Sequence, residues 1–177
     1  MVNIVLTGFM GTGKTTVGKR LAVELKLKFV DTDKLIEEEA KLRIREIFSL
    51  YGEGRFREIE KNIIRKLSSG SFGHGLVVST GGGAVIAPEN RAALRSWAKV
   101  ICLKATADAI LKRAGNNEVR PLLNLKGADK RAEVERLLKE REEPYRDCDF
   151  ELDTTDLGVE GAVKAIREFL KHVDRQA

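Results

Sequence analysis

The stretch Gly8-Phe9-Met10-Gly11-Thr12-Gly13-Lys14-Thr15-Thr16 constrains this chain more than any other. It fits G-x-x-x-x-G-K-[ST], a loop whose backbone wraps phosphate groups. Its flanks suit that reading. Val2-Asn3-Ile4-Val5-Leu6 is short, apolar and β-branched, as a buried parallel strand is. After the loop, Val17, Leu21 and Leu25 recur every fourth residue and share one helical face. Strand, glycine loop and helix together turn successive N–H groups inward. They also aim a helix N-terminus at the same anion. In such a loop Lys14 reaches the outer phosphates of a nucleotide, and the Thr15 hydroxyl takes a position on Mg²⁺.

The 177 residues suffice for one well-packed domain. Apolar runs at 2–7, 28–30, 76–78, 99–103 and 150–152 alternate with helical patterns. Those patterns lie near 14–26, 33–51 (broken around Leu42-Arg43), 55–68, 89–97, 106–114, 129–145 and 159–172. Such alternation predicts βαβ units and a parallel sheet covered on both faces, with ligands at the carboxyl ends of the strands. Residues 115–128 form a long glycine-bounded stretch carrying Arg120, which predicts a mobile lid. Pro88 suits a first helical turn, and Pro144 is expected to end or kink a charged helix.

No run approaches the roughly 20 apolar residues of a membrane-spanning helix. The glycine loop begins at residue 8, so the expectation is a chain without a secretory leader, in the cytoplasm. Cys102 and Cys148 form no C-x-x-C pair, and Cys102 lies in an apolar run, so it reads as a core residue. His74 and His172 are far apart and suggest no zinc site. The net charge of +5 suits either nucleic acid or a small anionic substrate. Basic residues are interleaved with acidic ones and lack accompanying aromatics, which favours the small anion.

Four further groups carry chemistry. Asp31 and Asp33 of Asp31-Thr32-Asp33 lie two apart at a strand end and face the same way. One carboxylate suits a metal's water shell and the other a proton-accepting role, although Asp33 could merely cap the following helix. Gly81-Gly82-Gly83 lets backbone pass close to a ligand, and Ser79 stands where many phosphate-loop proteins carry an aspartate. Arg57 and Glu60 are three apart on a helix, either a carboxylate-binding guanidinium held in one rotamer or a surface ion pair. Arg120 could close over the γ-phosphate.

In order along the chain, Gly8 to Gly18, Phe29-Val30-Asp31-Thr32-Asp33, Gly52-Glu53 through Phe56-Arg57-Glu58-Ile59-Glu60, Gly81-Gly82-Gly83-Ala84, Arg120-Pro121-Leu122-Leu123 and Arg141 to Tyr145 resemble the shikimate kinase family. The resemblance covers nearly the whole chain and implies a three-layer α/β/α P-loop kinase fold with five parallel strands in order 2-3-1-4-5. It implies substrate-binding helices at about 33–61 and a lid at about 115–128. It also implies transfer of the γ-phosphoryl group of MgATP to the 3-hydroxyl of shikimate. By resemblance, Gly11, Thr12, Gly13, Lys14, Thr15 and Thr16 hold the ATP phosphates, Arg113 lies beside the adenine, and Thr15 and Asp31 serve Mg²⁺. Asp33 assists the 3-hydroxyl, with Lys14 and Arg120 stabilising charge. Arg57 and Arg141 clamp the shikimate carboxylate beside Gly81, Gly82 and Gly83. The partners expected are ATP and shikimate, with no nucleic acid or membrane, and a monomer. A kinase of another small hydroxy acid, such as gluconate, is the nearest alternative. A phosphate-loop regulator that binds ATP without a small acceptor is another.

Overall fold

A computed structural model describes residues 2–114 and 128–174. Five strands, β1 (Ile4–Thr7), β2 (Lys28–Asp31), β3 (Leu76–Ser79), β4 (Lys99–Lys104) and β5 (Phe150–Asp153), form one parallel sheet in the order β2-β3-β1-β4-β5. Eight helices accompany it among the described residues: α1 (Lys14–Leu25), α2 (Thr32–Ala40), α3 (Ile44–Ser68), α4 (Pro88–Trp97), α5 (Ala107–Ala114), α6 (Ala128–Glu140), α7 (Glu142–Arg146) and α8 (Val159–Asp174).

The central strands β1, β3 and β4 have apolar middles because both of their faces are buried, each face contributing to a separate core, whereas the edge strands β2 and β5 are partly exposed and carry Lys28, Asp31, Glu151 and Asp153. Ile4, Leu6, Val77, Ile101, Leu103 and Leu152 meet α1 and α8 through Val17, Leu21, Val163 and Ile166. The intervening residues Val5, Leu76, Val78, Val100 and Cys102 meet Ile59, Ile63, Ile64 and Leu67 of α3 and Leu94 of α4. Burial holds the Cys102 thiol up at about 12, so it behaves as a core hydrophobe.

Element boundaries differ from the sequence expectations at two informative places. The helix expected over 129–145 ends at Glu140 and restarts as α7. Pro144 lies in the first turn of α7, where its missing N–H has no intrahelical acceptor to lose. The break expected near Leu42-Arg43 separates α2 from α3, and Lys41 takes a left-handed φ of 54° there. The second half of that stretch then joins the helix expected over 55–68 across a kink at Gly52 (φ 76°, ψ 177°). The lid expected at 115–128 lies outside the described residues, apart from Ala128, which begins α6.

Candidate active site

The loop after β1 sits at the carboxyl edge of the central strand. Gly8 has φ +125°, and a Cβ there would lie 2.1 Å from the Leu103 carbonyl oxygen, so only glycine lets β1 turn against β4. Gly11 and Gly13 also have positive φ, and Gly13 precedes α1 with no side chain capping that helix. The N–H groups at the start of α1 are therefore presented to an incoming anion. Lys14 is buried and its Nζ donates to the carbonyl oxygens of Gly8 and Phe9, both at 2.8 Å, so the ammonium lies across the loop. A groove of about 440 Å³ runs along Gly11, Thr12, Gly13, Lys14, Thr15 and Thr16 to Arg113 and the turn at Thr154–Gly158. Arg113 donates from Nη1 to Thr154 Oγ1 at 3.1 Å and from Nη2 to the Thr154 and Thr155 carbonyls. Thr154 Oγ1 in turn donates to the Thr12 carbonyl at 3.1 Å. The far end of the groove is thus tied to the phosphate loop.

At the near end, Thr15 Oγ1 lies 3.1 Å from Asp31 Oδ2 and 3.3 Å from Ser79 Oγ. Asp31 Oδ1 accepts from the backbone N–H of Asp33 at 3.0 Å and caps α2. The cap is Asp31, not Asp33, so one carboxylate serves both the helix and the phosphate loop. Three hard oxygen donors beside the loop match the preference of Mg²⁺, which typically takes one or two protein ligands and completes its shell with water and phosphate. No cluster of three or more His, Cys, Asp or Glu lies together among the described residues.

Asp33 and Arg57 meet across the glycine triplet after β3. A Cβ on Gly81 would lie 2.7 Å from Asp33 Oδ1 and 3.3 Å from Glu60 Oε1, and one on Gly83 would lie 2.6 Å from Arg57 Nη2. A Cβ on Gly82, between them, would lie 3.2 Å from the Met10 backbone nitrogen of the phosphate loop. The triplet therefore places its missing side chains against all three parts of the site. Gly81 N–H donates to Thr32 Oγ1 at 3.0 Å, and the Gly82 carbonyl accepts from the Tyr145 hydroxyl at 2.6 Å. Burial pushes the Tyr145 phenol up to about 12, keeping it a donor, although Arg141 and Arg57 both pull the other way. The Arg141 guanidinium also lies 5.6 Å from the centre of the Phe9 ring.

Arg57 and Glu60 are not a surface ion pair. Glu60 is 1% exposed and accepts from Arg57 Nη1 at 2.7 Å, while its other oxygen, Oε1, has no hydrogen-bond partner among the described residues. Burial raises the Glu60 carboxyl above the usual carboxylate range, and the Arg57 charge only partly offsets it. Burial alone would lower the proton affinity of Arg57, but Glu60 and Glu53 outweigh it and the net shift is upward.

The expected residues Lys14, Thr15, Asp31, Asp33, Arg57, Gly81, Gly82 and Gly83 thus converge on the carboxyl edge of β1, β2 and β3. Arg113 lies at the far end of the groove, and Arg141 stands over Phe9. Arg120 lies outside the described residues. By resemblance Thr154–Gly158 is the adenine-side loop, but sequence reasoning did not reach the bond from Thr154 to Thr12 or that from the Tyr145 hydroxyl to Gly82, which join positions 142 and 63 residues apart. It also left Glu53 without a role. An i,i+4 spacing to Arg57 was the available signal.

A family model described as shikimate kinase matches residues 10–171. A shikimate kinase of Geobacter sulfurreducens is 48% identical over 96% of this chain and 91% of its own length. One from Caldanaerobacter subterraneus is 45% identical over 97% of this chain and 98% of its own. Among solved structures, a shikimate kinase from Acinetobacter baumannii in complex with shikimate superposes with a TM-score of 0.90, at 32% identity, over 97% of this chain and 94% of that one. The Aquifex aeolicus shikimate kinase gives a TM-score of 0.81 at 31% identity over 96% of each chain. The phosphate loop, the doubled aspartates and the glycine triplet thus sit in a framework these relatives share nearly end to end, and the chain belongs to the shikimate kinase family.

Proposed function

We propose that the protein transfers the γ-phosphoryl group of MgATP to the 3-hydroxyl of shikimate, giving ADP and shikimate 3-phosphate. One observation carries the proposal. The glycine triplet lies against the phosphate loop at Gly82 and against Asp33 and Arg57 at Gly81 and Gly83, so a phosphoryl donor and a carboxylate-bearing acceptor share one point.

The groove from Gly11 to Thr16 takes the triphosphate, with Arg113 and the Thr154 turn at its base-side end. Lys14, held across the loop, meets the outer phosphates. Thr15 and Asp31 are the residues that would hold Mg²⁺, with Ser79 beside them; the ion supplies charge neutralisation on the phosphate oxygens. Arg57 and Arg141 bind the acceptor's carboxylate, with Glu60 fixing the Arg57 rotamer. Asp33 orients the 3-hydroxyl and takes its proton as the O–P bond forms. Positioning and charge stabilisation supply most of the rate, because little covalent work falls to the protein in phosphoryl transfer. In this reading Arg120 is the lid arginine on the phosphates. Every group named belongs to one chain, so a monomer made of a single kinase domain suffices, working in the cytoplasm where MgATP is abundant.

A coupled ADP-release assay tests the proposal with shikimate, gluconate and nucleoside monophosphates as acceptors. Shikimate-dependent release that disappears in Lys14→Ala is expected. Equal or better turnover of gluconate makes the enzyme a kinase of another acid. Slow hydrolysis indifferent to every acceptor makes it an ATP-binding regulator.

A further inference from the structure

Arg57 offers three directions for a carboxylate, and all three are engaged. Its side edge, Nε and Nη2, donates to the single oxygen Glu53 Oε1 at 3.1 and 2.9 Å. Its outer fork abuts Gly83. The Cβ position there is 2.6 Å from Nη2, 2.7 Å from Nη1 and 3.0 Å from Cζ, nearer both nitrogens than the carbon, so it lies beyond the fork rather than over the face. Nη1 also donates to the buried Glu60, and Cζ lies 5.1 Å from the centre of the Phe56 ring. Glu60 and Gly83 are fixed by burial and backbone. Glu53 is different: its side chain is 64% exposed, one residue after the kink at Gly52.

We infer that Glu53 is a placeholder carboxylate, occupying the edge of Arg57 that the acceptor's carboxylate takes, and leaving for solvent when the acceptor arrives. The inference rests on the proposal that Arg57 binds that carboxylate. The exchange swaps one carboxylate for another on the same two donors, so the guanidinium is never bare. It also makes Glu53 a determinant of specificity. A neutral polyol cannot displace Glu53 on equal terms, whereas an acid can.

The test is Glu53→Gln, which keeps the side chain's shape and removes its charge. Glu53 lies on an exposed helix surface, so the variant is expected to keep a melting temperature close to that of the wild type. With MgATP saturating, KM for shikimate is expected to fall about two- to fivefold, the range set by the strength of an exposed ion pair. The kcat and the KM for ATP stay at wild-type values. Shikimate methyl ester, which has no carboxylate to exchange, gains nothing from the substitution. Calorimetric titration of shikimate without nucleotide should show the same tightening. A KM for shikimate that is unchanged or raised, with normal wild-type turnover, overturns the inference alone and makes Glu53 a clamp for the Arg57 rotamer. An equal gain for the methyl ester overturns it too. Absence of shikimate-dependent ADP release in the wild-type protein overturns the proposed function, and the inference with it.

Discussion

Adding one methyl group at Gly83 should separate binding from chemistry. The Gly83 backbone lies outside the left-handed region, so alanine introduces no dihedral strain there. Its effect comes from contact. The new Cβ would stand 2.6 and 2.7 Å from the Arg57 nitrogens. Ordinary non-bonded contact is about 3.5 Å, so the guanidinium must retreat by about 0.8 Å. The 2.7 Å bond to Glu60 does not survive such a shift, and Glu60 already has one oxygen without a partner among the described residues. Leaving a buried carboxylate further unpaired costs about 1–3 kcal/mol of stability, limited because Glu60 can take up a proton instead. The substrate loses a charge-assisted bond of about 1.5–3 kcal/mol. KM for shikimate should therefore rise about 10- to 100-fold. The kcat should stay within about threefold, because Asp33 and the phosphate loop are untouched, and a factor of three is under 1 kcal/mol. Gly81→Ala is the counterpart, since its Cβ would lie 2.7 Å from Asp33 Oδ1. Displacing the group that orients the attacking hydroxyl should cost about 10²-fold, mainly in kcat. Steady-state kinetics with both substrates varied, together with urea unfolding, measures all of these quantities. A Gly83→Ala enzyme with wild-type KM for shikimate, or the two patterns interchanged, refutes the assignment of the triplet to Arg57 and Asp33.

Asp33→Asn should lose kcat by about 10²–10⁴-fold while shikimate binding is largely kept, as expected for a proton acceptor; near-normal turnover removes Asp33 from that role. Gly8→Ala places a Cβ 2.1 Å from the Leu103 carbonyl oxygen at a φ of +125°, so it should destabilise the fold by about 3 kcal/mol or more, read as a lowered urea midpoint. Glu60 titrates higher in the folded protein than its ordinary value of 4.5, so folding takes up a proton there. Its neutral form is tolerated below that ordinary pH, and stability is lost as pH rises through the folded value. Glu60→Gln, which cannot ionise, should therefore gain stability relative to the wild type as pH rises through this window. A constant difference between the two proteins would show that Glu60 titrates at the same pH in the folded and unfolded chain.

The amino-acid sequence by itself determined what depends on near neighbours. The phosphate loop is legible because its chemistry needs glycine, lysine and threonine at fixed spacing between a strand and a helix. The central strands are legible because burial on both faces demands short apolar runs, the partly exposed edge strands give a weaker signal, and the strand order followed from family resemblance. Arg57 and Glu60 could be paired because three residues on a helix bring side chains together. The same local rule could not say whether that pair is exposed or buried. Packing of α3 on the sheet decides it, and turns a weak surface contact into a buried anchor. Spacing put Asp33 forward as a possible cap of α2, whereas in the fold Asp31 takes that place. The contact of Asp31 with Thr15, sixteen residues away, comes with the choice of Asp31. The bonds from Tyr145 to Gly82 and from Thr154 to Thr12, and the packing of Gly83 against Arg57, exist only once the chain has closed on itself. Periodicity reports which face of an element is buried. It carries no information on which distant backbone that face meets, and there tertiary structure alone decided the site.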